Sequence, residues 1–194
     1  MVYLNLSAFD DLVSFTYKDA KVFLIDNFFH KDCMDEIKLH LDQYKDHPLY
    51  WTELHLQEEY QRKKMVIDEI PLFNNILQEM SDPIFINKLN QTLGWNVKNG
   101  SFSIWHDTEG YNIGLHVDND RVKNAIQVYL KDVDITLGTS FAKKHNGGPN
   151  DVFLTIPYKE NFGYCMKNVD SIEHGLINKV PNNFNRYSIY CLFE

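Results

Sequence analysis

Residue types that can ligate a divalent metal stand at suggestive spacing in the second half of the chain. His116 and Asp118, in GLHVDND, are two residues apart, and His174 follows in SIEHGL. In a strand, residues i and i+2 point to the same side, so His116 and Asp118 at a strand end project into one space. A neutral imidazole and a monodentate carboxylate suit a divalent first-row metal, but two ligands are too few to hold it. The pair alone is also weak, because it recurs at His30-Lys31-Asp32, and taken by itself it is better accounted for as a surface turn.

The best candidate for a third donor is His174. It falls in an expected strand, late enough to meet the first two across a β-barrel-like core. Two histidines and one carboxylate on one face of an octahedron leave three positions open, the arrangement of non-haem iron(II) oxygenases. The last expected strand, FNRYSIYCLFE, adds separate evidence. There Arg186, Ser188 and Tyr190 share one face, while Tyr187, Ile189 and Cys191 share the other. The chain has only three arginines; Arg62 and Arg121 are read as lying in polar connections, whereas Arg186 opens an apolar strand. A buried guanidinium wants an anion, and its planar fork suits a carboxylate. Ser188 could donate a second hydrogen bond to that group. A dicarboxylate with one end on the metal and the other on Arg186 satisfies both halves, and 2-oxoglutarate has that shape.

These side chains need a scaffold, and the periodicity supplies one. KVFLIDNFF, 21–29, reads as a first strand. Cys33, Ile37, Leu41 and Tyr44 then recur at helical spacing, with Asp32 as the expected N-cap, which gives the second His-x-Asp a structural task. Leu72, Phe73, Ile76, Leu77 and Met80 make a second helical stripe after Pro71. Phe85, Leu89 and Leu93 make a third, opened by Asp82-Pro83 and closed by Gly94. Beyond Gly94 short β-prone runs are separated by Asn, Asp, Gly and Pro turns: 101–106, 111–117, 124–131, 152–156, 162–167, 171–176 and 185–193. Many short, evenly spaced strands suggest a sandwich or jelly roll. The expected fold is therefore α+β. One domain over 1–194 is read, with 1–99 a mainly helical support carrying a short N-terminal strand and 100–194 the jelly-roll core. WTELHLQEEYQRKK, 51–64, and KKHNGGPND, 143–151, read as loops.

Composition narrows the class. A chain of 194 residues with 44% hydrophobic and 24% charged residues is long enough to bury one real core. Its formal charge of −8 and scattered lysines leave no basic stripe for phosphates, which disfavours general nucleic-acid binding. No run reaches the ~18 apolar residues of a membrane span, and the N-terminus does not read as a signal peptide. Cys33, Cys165 and Cys191 form no Cys-x-x-Cys pair, so a disulfide framework or thiolate zinc site is not expected and the cytoplasm is. Among the remaining candidates, His55, His106 and His145 read as structural or solvated. Trp51 and Trp105 read as packing residues that could border a substrate groove.

From about 100 to 194 the sequence resembles the iron(II)- and 2-oxoglutarate-dependent oxygenases, within them the prolyl-hydroxylase-like branch. LHVDN looks like that branch's first metal motif, IQVYLKD like the strand after it, EHGL like the distal histidine motif, and RYSIYCLF like the cosubstrate strand. GTSF, 138–141, is similar to a turn in which many members carry a Gly-Gly-x-Thr type sequence. The likeness extends more weakly to FLIDNFFHKDCMDEIKLHL and DPIFINKLNQTLG. It implies a double-stranded β-helix core with N-terminal helices packed on one side. It also implies Fe(II) on His116, Asp118 and His174, and a distal carboxylate held by Arg186, Ser188 and Tyr129. The implied reaction uses O2 to hydroxylate a C–H bond of a peptidyl, prolyl-like residue or a small molecule, releasing succinate and CO2. Two alternatives stand beside it: a cupin-like metalloenzyme that does not use 2-oxoglutarate, and a non-catalytic β-sandwich binding module.

Overall fold

The computed structural model describes residues 2–53, 61–119, 121–131, 135–144 and 151–194. Eight strands form a major antiparallel sheet in the order β1-β2-β9-β6-β11-β5-β4-β3, and three form a minor sheet in the order β10-β7-β8. The members of the major sheet are β1 (Val13–Tyr17), β2 (Ala20–Asp26), β3 (Trp51–Glu53), β4 (Arg62–Met65), β5 (Gly100–Asp107), β6 (Asn124–Tyr129), β9 (Phe162–Lys167) and β11 (Arg186–Phe193). The minor sheet comprises β7 (Ser140–Lys143), β8 (Val152–Thr155) and β10 (Ile172–Gly175). Side-chain alternation gives the major sheet two apolar faces. One carries Phe102, Ile104, Ile126, Val128, Ile189 and Cys191 against the helices. The other carries Ala125, Tyr129, Tyr164 and Met166 against Phe141 and Ile172 of the minor sheet. This is the expected jelly roll with helices packed on one side.

The helices form as the stripes require. α1 (Lys31–Tyr44) buries Cys33, Ile37 and Leu41; α2 (Pro71–Met80) buries Phe73 and Ile76. α3 (Pro83–Leu93) starts with the Asp82 carboxylate accepting from the Ile84 amide and stops at Gly94 with φ 68°, a left-handed C-terminal residue that glycine adopts without penalty. No described helix is long and apolar enough to cross a membrane.

Four expectations need correction. The N-cap of α1 is His30, not Asp32; Asp32 sits in the first turn without capping, where its charge still complements the helix dipole. Residues 111–117 are not a strand. Gly114 takes φ 66° and its amide donates to the Asn112 side chain, so extended pairing is limited to a single bridge at His116. Strands β1 and β7 fall outside the expected strands, β7 beginning inside GTSF and running past it to Lys143. The polar stretch 51–64 contributes β3 and part of β4, which pair with each other and add to β5. Arg62 thus stands in a strand, not a polar connection. Residues 54–60 of that stretch, with His55, and 145–150 of the second loop, with His145, lie outside the described residues.

Candidate metal centre

The bridge at His116 positions the centre. Its amide donates to the His174 carbonyl at 3.0 Å and the His174 amide returns to the His116 carbonyl at 2.8 Å. Two candidate ligands distant in sequence therefore face each other through paired main chain, with ring centroids 4.8 Å apart. The pairing requires close backbone approach: a Cβ on Gly175 would lie 1.7 Å from the Gly114 carbonyl oxygen. Asp118 completes the cluster. Its Oδ1 lies 3.6 Å from His116 Nε2 and its Oδ2 lies 3.4 Å from His174 Nε2. One ligand atom from each of the three lies within 4.8 Å of the other two, a grouping that could hold a metal ion. The His116 Nδ1 is 3.1 Å from the Gly114 carbonyl, an outer contact that fixes ring orientation.

Protonation suits ligation at His174 and Asp118, whereas His116 must give up a proton to a metal. Burial drives His174 down to about 4, against the pull of Asp118, so it is neutral near pH 7. At Asp118 burial opposes ionisation, but the neighbouring His116 imidazole, the field of His174 and the Tyr190 hydroxyl outweigh it and lower the pKa. At His116 burial disfavours the cation, yet Asp118 and the Gly114 carbonyl prevail and raise its pKa. Tyr190 Oη donates to Asp118 Oδ2 at 2.8 Å.

The three residues share a cavity of about 540 Å³ with Arg62, Trp105, Gln127, Thr139 and Arg186. Arg186 is buried, donating from Nε to the Leu137 carbonyl at 2.8 Å and from Nη1 to Asp107 Oδ2. Burial works against the guanidinium's charge, and Asp107 more than restores it. Asp107 also accepts from Arg62, at Oδ1 from Nε and at Oδ2 from Nη2 at 3.1 Å. Strand register creates this row: Arg186 on β11 and Arg62 on β4 both pair with Asp107 on the intervening β5.

Ser188 and Tyr129 are buried on the same side of the sheet but do not line the cavity. Gln127 Nε2 donates to Ser188 Oγ at 3.1 Å, and Tyr129 Oη donates to Thr139 Oγ1 at 2.9 Å. Gln127 Oε1 accepts from Thr139 Oγ1 and Tyr164 Oη. Gln127, Thr139 and Tyr164 are thus the members of this network that line the cavity, with Ser188 and Tyr129 supporting them. Trp105 lines the cavity, whereas Trp51 packs on His106 and Tyr187. His106 is buried facing the helices and meets the Asn185 side chain at 2.7 Å.

Sequence reasoning missed Arg62, Asp107 and Gln127. Alternation along FSIWHD does place Asp107 on the face of Trp105, but its meeting with two arginines depends on inter-strand register. Tyr190 was legible as a neighbour of Arg186 and Ser188, though its contact with Asp118 was not.

No protein-family model matches the sequence, and no curated protein matches it. Solved structures do. A prolyl-4-hydroxylase from Pseudomonas putida superposes with a TM-score of 0.64 at 12% identity, covering 97% of each chain. A prolyl hydroxylase from Trichoplax adhaerens, in complex with a peptide fragment of the hypoxia inducible factor oxygen degradation domain, gives 0.66 at 15% identity, over 89% of this chain and 82% of that one. The non-haem α-ketoglutarate-dependent epimerase SnoN from nogalamycin biosynthesis gives 0.61 at 8% identity, over 89% and 77%. The chain therefore has the double-stranded β-helix fold of the prolyl-hydroxylase-like proteins.

Proposed function

We propose that this chain is an Fe(II)- and 2-oxoglutarate-dependent oxygenase, with His116, Asp118 and His174 as metal ligands and Arg186 at the distal carboxylate of the cosubstrate. The observation that carries the reading is that one cavity holds both a two-histidine, one-carboxylate cluster and a buried guanidinium. The donor set fits the ion: imidazole and carboxylate suit a first-row divalent metal and leave positions open. Bound there, iron(II) with 2-oxoglutarate supplies dioxygen activation for oxidising an unactivated C–H bond, with succinate and CO2 as coproducts.

The chain's own residues have separable tasks. The paired backbone holds the imidazoles, Tyr190 orients the carboxylate, and Arg186 gives the cosubstrate one orientation. The apolar wall of Trp105, Ile113 and Leu176 keeps water from the reacting centre. The bound peptide of the Trichoplax neighbour supports a peptidyl substrate; a small molecule is the other class. Three free, buried cysteines accord with a reducing, cytoplasmic setting. One observation favours a metalloenzyme of the same fold without 2-oxoglutarate: Asp107 already answers the charge of Arg186.

The test is anaerobic titration of the Fe(II) protein with 2-oxoglutarate, followed by succinate release over a panel of peptides and metabolites with a +16 mass shift as readout. Binding and turnover that disappear in Asp118→Ala support the proposal. Full turnover by that variant removes Asp118 from the metal, and a metal-loaded protein indifferent to 2-oxoglutarate selects the alternative.

A further inference from the structure

We infer that Arg62 is a second cosubstrate-anion residue, and that Asp107 clasps Arg62 and Arg186 into one site of net charge +1 for the distal carboxylate. The inference rests on the 2-oxoglutarate reading above and assigns a part to residues outside the metal cluster and the final strand.

Three observations carry it. Arg62, Asp107 and Arg186 lie in one cross-strand row over β4, β5 and β11, and Asp107 bonds both guanidiniums. Both arginines line the cavity that the metal cluster shares, whereas Asp107 is fully buried behind them. Arg62 is also held over two rings, its guanidinium carbon 4.9 Å from the Trp105 centroid and 4.3 Å from that of Tyr111, a placement that stabilises a cation without consuming its charge.

Charge counting then decides the role. Asp107 cancels one guanidinium, so Arg186 with Asp107 alone would present no net charge to an incoming anion. Arg62 restores one positive unit. A divalent ion with Asp118 contributes another, and the sum of +2 matches the two carboxylates of 2-oxoglutarate. Among the described cavity-lining residues, Asp118 is the single carboxylate, so nothing else described on the wall offsets this balance. Buried charges are retained where they are mutually compensated, and here the compensation is complete only with the dianion bound.

The experiment is calorimetric titration of Mn(II)-loaded protein, without turnover, using 2-oxoglutarate and 2-oxovalerate, which keeps the chelating end but replaces the distal carboxylate with a methyl group. Arg62→Met leaves Asp107 to neutralise Arg186, so 2-oxoglutarate affinity is expected to fall at least tenfold while 2-oxovalerate affinity is unchanged. Adding Asp107→Asn frees Arg186 and should return 2-oxoglutarate affinity to within about threefold of wild type. The double variant loses opposite charges together, so it provides a folded test where the single variant proves unstable. Wild-type affinity in Arg62→Met, equal losses for both ligands, or a double variant that fails to bind 2-oxoglutarate while binding 2-oxovalerate normally overturns the inference. A wild-type protein that binds Mn(II) but not 2-oxoglutarate overturns the underlying reading instead, so the two failures are distinct.

Discussion

Tyr190→Phe isolates one hydrogen bond at the proposed metal centre. The tyrosine hydroxyl donates at 2.8 Å to Asp118 Oδ2, the oxygen that also faces His174 Nε2. Phenylalanine keeps the ring and its packing while removing that donor. A hydrogen bond to a charged group contributes about 1.5–3 kcal/mol net, which converts to roughly 10- to 150-fold in an equilibrium constant. Loss of an outer contact to a metal ligand costs about 10- to 100-fold in metal affinity. The two independent routes overlap, and the lower half of the range is expected because a bound cation itself satisfies part of the carboxylate. The assay is competition between the protein and a chromophoric chelator for Mn(II), with urea denaturation of the metal-free protein as a control for folding. Unaltered Mn(II) affinity in a folded variant would falsify the claim that Tyr190 holds the Asp118 carboxylate in its ligating position.

Two other perturbations test the scaffold and its protonation. Gly175→Ala would place a methyl carbon against the Gly114 carbonyl and force apart the bridge between His116 and His174; we expect loss of Mn(II) binding together with a lowered melting temperature, and a fully competent variant would contradict the close approach. Stability of the metal-free protein should fall as pH drops from about 6.5 toward 4, because burial keeps His174 neutral down to about 4 and also depresses His106. Across that window the unfolded chain binds a proton that the folded chain refuses at His174, a loss of up to about 1.4 kcal/mol per pH unit, and His106 acts in the same direction. His116, whose pKa is raised, acts in the opposite sense, its contribution being present below its ordinary value and lost as pH rises through the raised one. Urea midpoints measured at pH 7 and pH 5 check the balance, and greater stability at pH 5 would count against it.

How far the sequence foretold this arrangement depends on whether the information is local. The stripe of Phe85, Leu89 and Leu93 between Asp82-Pro83 and Gly94 is complete within a dozen residues, and α3 follows it closely. Alternation along RYSIYCLF likewise places Arg186, Ser188 and Tyr190 on one face, as found. The misreadings arise where another part of the chain decides. Residues 111–117 have strand-like composition, but a left-handed Gly114 and the Asn112 turn leave His116 alone to pair. Asp107 and Arg62 look like ordinary polar residues until strand register sets both beside Arg186. Gln127 stands in an apolar run, and its partners Ser188, Thr139 and Tyr164 come from elsewhere in the fold.

The doubly hydrogen-bonded junction between His116 and His174 has a consequence for which ion is carried. Because peptide groups, not the ion, hold the two rings together, the seat exists before its occupant arrives, and chelation should leave a folded protein. Occupancy then adds stability by mass action alone, about 2.7 kcal/mol at a concentration one hundred times the dissociation constant. Such a ready-made seat of two nitrogens and an oxygen ranks cations by their intrinsic preference, with nickel, copper and zinc ahead of iron. On the proposed iron(II) reading, occupancy would therefore follow the metal supply around the protein, and an excess of zinc would displace iron without unfolding the chain.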